Sequence, residues 1–203
     1  MMSFKEYQEF LTEMPKLIKS WDPIELIDPE RNKDNYLDLL REKRKTKLFD
    51  LTDVATMYEW KDNFFVLDTS IEQITYDMTF KLGDEPNIGG KFVWQTGVWI
   101  NPVHQYIEGV AAKMFFEVLL KRHETIITDS IQTFDGKRFW ERNIGKAFVK
   151  GLNVYYYDFQ TKELAKIENA IHWETFKKTH KDIWGKTDRH KMKKMVITNK
   201  TLL

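Results

Sequence analysis

Two spacings of apolar residues alternate along the chain. At the start, Phe4, Tyr7, Leu11, Met14 and Ile18 recur at helical intervals behind Ser3 and Glu6, a capping-box pair. They predict an amphipathic helix running to about Ser20. Residues 22–33 hold two prolines and many charges, which predicts a connecting loop before a second helix around Asp34–Arg44. From Thr52 the period changes to two. A hairpin turning at Lys61, Asp62 and Asn63 is expected first. A strand follows in which Ile74, Tyr76, Met78, Phe80 and Leu82 alternate with Gln73, Thr75, Asp77, Thr79 and Lys81. That alternation describes a sheet with one wet face. Residues 83–90 read as a loop rich in turn formers, and Lys91–Ile100, with apolar residues on both faces, as a central strand covered on both sides.

The second half returns to helical spacing at Ile107, Val110, Ala111, Met114, Phe115, Val118 and Leu119, opposite Lys113, Glu117 and Lys121. Glu124–Thr128 predicts a short buried strand, and Trp140, Ile144, Ala147 and Phe148 predict a helix over residues 134–149. Leu152–Phe159 and Leu164–Glu168 read as two more strands joined by a turn at Gln160, Thr161 and Lys162. The fold class expected is therefore α/β (α+β), a mixed, mostly antiparallel central sheet flanked by helices, with a helical N-terminal extension. The parts fall at residues 1–50, 51–170 and 171–203, the last a basic C-terminal extension.

Composition narrows the function classes. At 203 residues there is room for one full core. A net charge of +1 gives no global field for nucleic acid or membrane, so a charged partner must be met locally. The absence of cysteine excludes disulfides, thiolate metal sites and a cysteine nucleophile, and fits a reducing cytoplasm. No apolar run approaches the roughly 18 residues of a spanning helix, so no membrane partner is expected. The five histidines show no ligand spacing, so no metal site is expected, and no G-x-S-x-G elbow is present.

Candidate chemistry gathers at the stretch VWINPVHQYIEGVAA, residues 98–112, where a strand gives way to a helix. Gly109 lets a phosphate approach the backbone, and a helix start supplies N–H donors; alternatively Gly109 and Ala111 are small because the helix crosses the sheet closely. Asp129 and Ser130 lie at the end of a buried strand, where α/β folds place active groups; Asp129 suits a general base or a cap. His104, just past the central strand, is a second candidate base or an exposed loop residue. The basic stretch at 186–200 suits nucleic-acid phosphates or a solvated terminal segment, and REKRKTK at 41–47 reads as a solvated helix end.

With these elements in this order, the chain resembles the GNAT acyltransferase superfamily over about residues 54–168. In that family the fourth strand runs into a Q/R-x-x-G-x-G/A turn that holds the pyrophosphate of coenzyme A. The matching residues here are Tyr106, Ile107, Glu108, Gly109, Val110 and Ala111, with Tyr106 replacing the usual Gln or Arg. The stretch from Thr133 to Trp140, then Gly145, has a spacing similar to the family's next helix, with Thr133 and Trp140 departing from its polar positions. The wording TDSIQTFDGKRFW is similar to GNAT-like proteins of bacteriophages. The resemblance implies acetyl-CoA or another acyl-CoA as donor and an amine acceptor. It implies a backbone N–H near Trp99 or Ile100 that polarises the thioester carbonyl, Ile107, Gly109, Val110 and Ala111 around the pyrophosphate, and Gln132 and Thr133 as further contacts. It places the acyl group in a cleft between the central strand and Glu124–Thr128. Tyr156, flanked by Tyr155 and Tyr157, stands in for the acid, and the host cytoplasm is the expected location. The alternatives are a phage enzyme of the Mom type that modifies DNA bases, served by the basic segment, and a non-catalytic phage structural or host-interaction protein that keeps the fold.

Overall fold

A computed structural model describes residues 26–101, 109–129, 134–184 and 188–202. The predicted helix over Phe4–Ser20 lies outside the described residues. The chain is mixed α/β. Its helices are α1 (Pro29–Arg41), α2 (Val110–Lys113, Met114–Leu119 and Leu120–His123), α3 (Phe134–Val149), α4 (Ala170–Thr179) and α5 (Asp188–Met192). Its strands are β1 (Thr46–Asp50), β2 (Ala55–Trp60), β3 (Asn63–Asp68), β4 (Gln73–Glu85), β5 (Gly90–Ile100), β6 (Thr125–Ile127), β7 (Asn153–Asp158), β8 (Leu164–Ile167) and β9 (Lys193–Thr198). The sheet order is β1-β2-β3-β4-β5-β6-β9-β7-β8. β5 and β6 pair in parallel, and the other described registers are antiparallel. Two compact units divide the described residues. One holds α1, β1–β3 and residues 73–81, 95–101 and 109–111; the other holds residues 82–94 and those of 112–202.

In the α1 unit the helix begins earlier than expected. Asp28 caps it, its Oδ1 accepting from the N–H of Glu30 at 3.0 Å and of Arg31 at 3.3 Å. Pro29 takes the first helical position, where no donor is needed. The charged Asp-Pro pair that read as loop is a helix start. Glu42 is extended and ends the helix, so the basic run continues into strand β1. α1 places Tyr36 and Leu39, with Leu26, on Phe65, Leu67 and Ile74. The β2–β3 turn is Lys61 and Asp62 alone, Lys61 taking φ 54°, and Asn63 already pairs with Trp60.

A bulge then breaks the even alternation expected of β4: Val66 pairs with Tyr76 but Leu67 pairs with Ile74. Ile74 consequently shares the α1 face with Phe65 and Leu67, whereas Tyr76 and Met78 point to the other face. Thr75, expected on the wet face, is buried, and Leu82, expected inside, is exposed. Past Trp94, β5 is also less covered than expected, with Val98 and Ile100 exposed and Trp99 packed on the α1 cluster.

In the β9 unit the expected loop at 83–90 is mostly strand. β4 runs to Glu85, a single 3-10 turn covers Pro86–Ile88, and Gly89 and Gly90 take φ of 86° and 90° to start β5. Glu85 anchors this turn by accepting from the Asn87 side chain at 2.9 Å and from Lys162 at 2.7 Å. Phe92, Val93 and Trp94 are buried, as a central strand requires. α2 has a π-helical middle, Met114–Leu119, in which the Leu120 N–H reaches the Phe115 carbonyl. The wider turn buries Phe116 and Leu120 besides the expected stripe. α3 and the β7–β8 hairpin stand where expected, with Lys162 at φ 63° closing the turn.

The larger departure is at the C-terminal side. β9 lies between β6 and β7, pairing with both, and Lys194 to Thr198 are buried. The solvated tail expected there is, over Lys193–Thr198, an interior strand. Met195, Val196 and Ile197 supply the apolar run that such a strand needs.

Candidate functional site

Five of the anticipated residues, His104, Ile107, Ser130, Gln132 and Thr133, lie outside the described residues, as does Tyr106. The described cofactor candidates belong to the α1 unit. Trp99 and Ile100 end β5, Trp99 packed and Ile100 exposed. Asn101, next in the chain, donates its N–H to the Thr75 carbonyl at 2.9 Å and ties the end of β5 down. Gly109 stands immediately before α2, exposed, with φ 82°. A Cβ built on it meets no atom within 4 Å. Among the described residues no close packing explains this glycine; the left-handed turn requires it. Val110 is buried and Ala111 half-buried.

The described catalytic candidates, Asp129 and Tyr156, belong to the β9 unit. Asp129 follows β6. Thr128 extends the β6–β9 ladder, donating its N–H to Met195 at 3.0 Å and accepting the Met195 N–H on Oγ1 at 3.1 Å. This register sets Asp129 opposite Lys194, whose ammonium donates to the Asp129 carbonyl at 2.7 Å. Burial pushes the Asp129 carboxyl above the usual carboxylate range, and the positive charge of Lys194 partly offsets that push. Burial likewise pulls the Lys194 ammonium down, with Asp129 opposing it.

Tyr156 is not brought to this pair. It pairs with Met195, one position along from Lys194, so its side chain points to the other face of the sheet. There it lies against Phe176 and His180, at ring separations of 5.4 Å and 5.8 Å. Burial first, then Asp158, raises its phenol. Tyr157, the cross-strand partner of Lys194, shares the Lys194 face with Tyr155, and its hydroxyl accepts from Asn87 at 3.1 Å.

Sequence reasoning missed two groups. Lys194 belongs, by composition, to a basic tail. The signal was its place in MKKMVIT, since a buried strand must turn one of two successive lysines inward. Asp77, which the alternation places on a wet face, is half-buried, and burial raises its carboxyl to about 7, against a bond from the Asn63 side chain at 3.2 Å. The basic segment has its described charges engaged within the fold: Lys193 pairs with Asp182, and Lys200 reaches Glu124 at 3.0 Å and the Gly89 carbonyl at 3.2 Å. A shallow pocket of about 280 Å³ in the β9 unit is lined by Phe148, Leu152, Asn153 and Lys166 among others, and by none of the anticipated residues. Among the described residues no three acidic, histidine or cysteine side chains gather as a metal site, and no helix is long and apolar enough to cross a membrane.

No family model, curated protein or solved structure matches the chain.

Proposed function

We propose that the protein is a GNAT-like acyltransferase that moves an acyl group from an acyl-coenzyme A to an amine. The observation that carries this reading is Gly109. Its backbone takes a left-handed turn ahead of a helix, and among the described residues nothing fills the space a side chain would take, as a phosphate cradle requires. The connection β5–α2–β6, with β5 parallel to β6 only at Val93–Ile126 and Trp94–Ile127 among the described pairs, supports it further. In this reading Gly109, Val110 and Ala111 hold the pyrophosphate, and a backbone N–H near Trp99 or Ile100 polarises the thioester carbonyl. The neutral amine attacks that carbon, the C–N bond forms and the C–S bond breaks. Coenzyme A leaves as thiolate, and the amine proton passes to a general base. Tyr156, enclosed by Phe176 and His180, takes no part.

The test is calorimetry with acetyl-CoA, paired with thiol release using hydroxylamine as a small amine acceptor. The chain has no cysteine, so every thiol detected is free coenzyme A. Binding is expected, and thiol release faster than in the protein-free mixture, where hydroxylamine itself cleaves the thioester; Gly109→Glu should abolish binding while the circular dichroism spectrum is kept. No heat at millimolar acetyl-CoA sinks the reading, and unchanged affinity of the Gly109→Glu variant moves the site elsewhere.

A further inference from the structure

The outer face of α3 carries a row of cations. Arg138, Arg142 and Lys146 recur every four residues, so they stand in one stripe along the helix, and all three are exposed. At about 1.5 Å of rise per residue the stripe is about 12 Å long, and Lys150, also exposed, stands just past the helix end. Arg138 and Arg142 lie outside the last turn, where the helix dipole favours a cation. Arg142 and Lys146 form no ion pair among the described residues, and Glu141, the acid described on this face, is engaged by Lys137 at 3.9 Å. The other basic stretches differ: Arg44 is clasped by both carboxylate oxygens of Glu42, Lys47 reaches Asp50 at 2.7 Å, and Lys200 reaches Glu124 at 3.0 Å.

Gly145 lies on the same face, between Arg142 and Lys146. Glycine inside a helix is unfavourable relative to alanine, and a Cβ built on Gly145 meets no atom within 4 Å. Neither its helical backbone nor close packing among the described residues calls for it. A bare backbone beside two cations permits the close approach of a partner.

We propose that this face of α3 binds the phosphate backbone of duplex nucleic acid without reading its sequence. A row of cations complements a linear polyanion, and phosphate contacts alone supply sequence-independent affinity. The rings near the stripe favour a duplex over a single strand. Trp140 is buried and Phe139 and Phe148 are half-buried, so unpaired bases find no exposed aromatic side chain to stack on. Val149 is the one large apolar side chain described as exposed on this face, too little to insert into a lipid surface. The proposal stands apart from the acyltransferase reading and needs no acyl donor.

The experiment is fluorescence anisotropy of a labelled duplex of about 20 base pairs, titrated with the full chain at several salt concentrations. Affinity should fall with salt along a log–log slope of about −3, and two duplexes of unrelated sequence should bind alike. Arg142→Gln combined with Lys146→Gln should weaken binding by about 10-fold or more at low salt and make the slope shallower by about 2. Its thermal midpoint should stay, since neither side chain is paired within the fold. Gly145→Leu should weaken binding by about 10-fold while its midpoint holds or rises, because leucine is the better helix former. No salt-dependent binding by the wild-type chain overturns the proposal. So does wild-type affinity in the double variant or in Gly145→Leu, or tighter binding of the matching single strand. Binding to vesicles of phosphatidylserine and phosphatidylcholine with none to the duplex also overturns it, by making the partner a membrane surface.

Discussion

Asn32 joins α1 to the bulge in β4 through one carboxamide. Its Oδ1 accepts the Ile74 N–H at 2.7 Å, and its Nδ2 donates to the carbonyls of Leu26 at 2.9 Å and Ile74 at 3.0 Å. All of this is buried, so Asn32→Ala should cost about 2–4 kcal/mol in urea unfolding, more than one exposed bond is worth, because the partners stay inside without replacements. A loss under about 0.5 kcal/mol would mean water takes the place of the carboxamide. Asp77 gives a prediction in pH. Its carboxyl is raised from 3.8 to about 7, chiefly by burial, so between those values the folded chain keeps a proton that the unfolded chain has released. Stability from this group is full below the lower value and is lost as pH rises through the upper one. The urea midpoint of the wild-type chain should fall between pH 4 and pH 8 by more than that of Asp77→Asn (both pH values about those of the window). Equal slopes would place the Asp77 carboxyl in water.

Elements were legible where one period runs unbroken. α3, the β7–β8 hairpin and its Gln160-Thr161-Lys162 turn follow from spacing and turn chemistry, and β6 from its short apolar run. What spacing hides is a change of phase inside an element. The bulge opposite Leu67 turns Ile74 to the face opposite Tyr76 although both sit in one apolar series, and the π turn of α2 brings Phe116 into the core beside Phe115. Both substitute one backbone bonding pattern for another at no change in composition, so a one-dimensional pattern cannot register them. The β4–β5 hairpin hides differently, because its glycines resemble loop residues. Gly83 is glycine because the Phe92 ring lies across its backbone. Gly83→Ala should therefore destabilise by about 1–3 kcal/mol, and Phe92→Leu should recover part of that loss when combined with it. Additive losses in chemical denaturation would show that the ring and the glycine do not share that space.

For the whole molecule, the candidate residues were half legible. Gly109 and Asp129 stood out because a glycine before a helix and an acid after a buried strand are local signals, readable without tertiary information. Lys194 could not be paired with Asp129, since that contact spans 65 positions and depends on β9 entering the sheet between β6 and β7. The basic composition of residues 186–200 pointed to the surface, and the apolar run within it pointed inward; the apolar run prevailed. A chain truncated after Met192 should accordingly fail to give a cooperative thermal transition, whereas loss of a solvated segment would leave it intact. A normal transition in that chain would remove β9 from its interior place.

β9 also sets an order in time. A ribosome delivers β6, α3, β7 and β8 before it delivers Lys193–Thr198, so for part of its synthesis the nascent chain holds two strands whose facing edges have no partner between them. Such edges invite pairing with a neighbouring chain. Closure also depends on contacts distant in sequence, which form slowly. Yield of native protein should therefore respond to translation rate and to chaperones that shield strand edges more than the finished fold's stability would suggest.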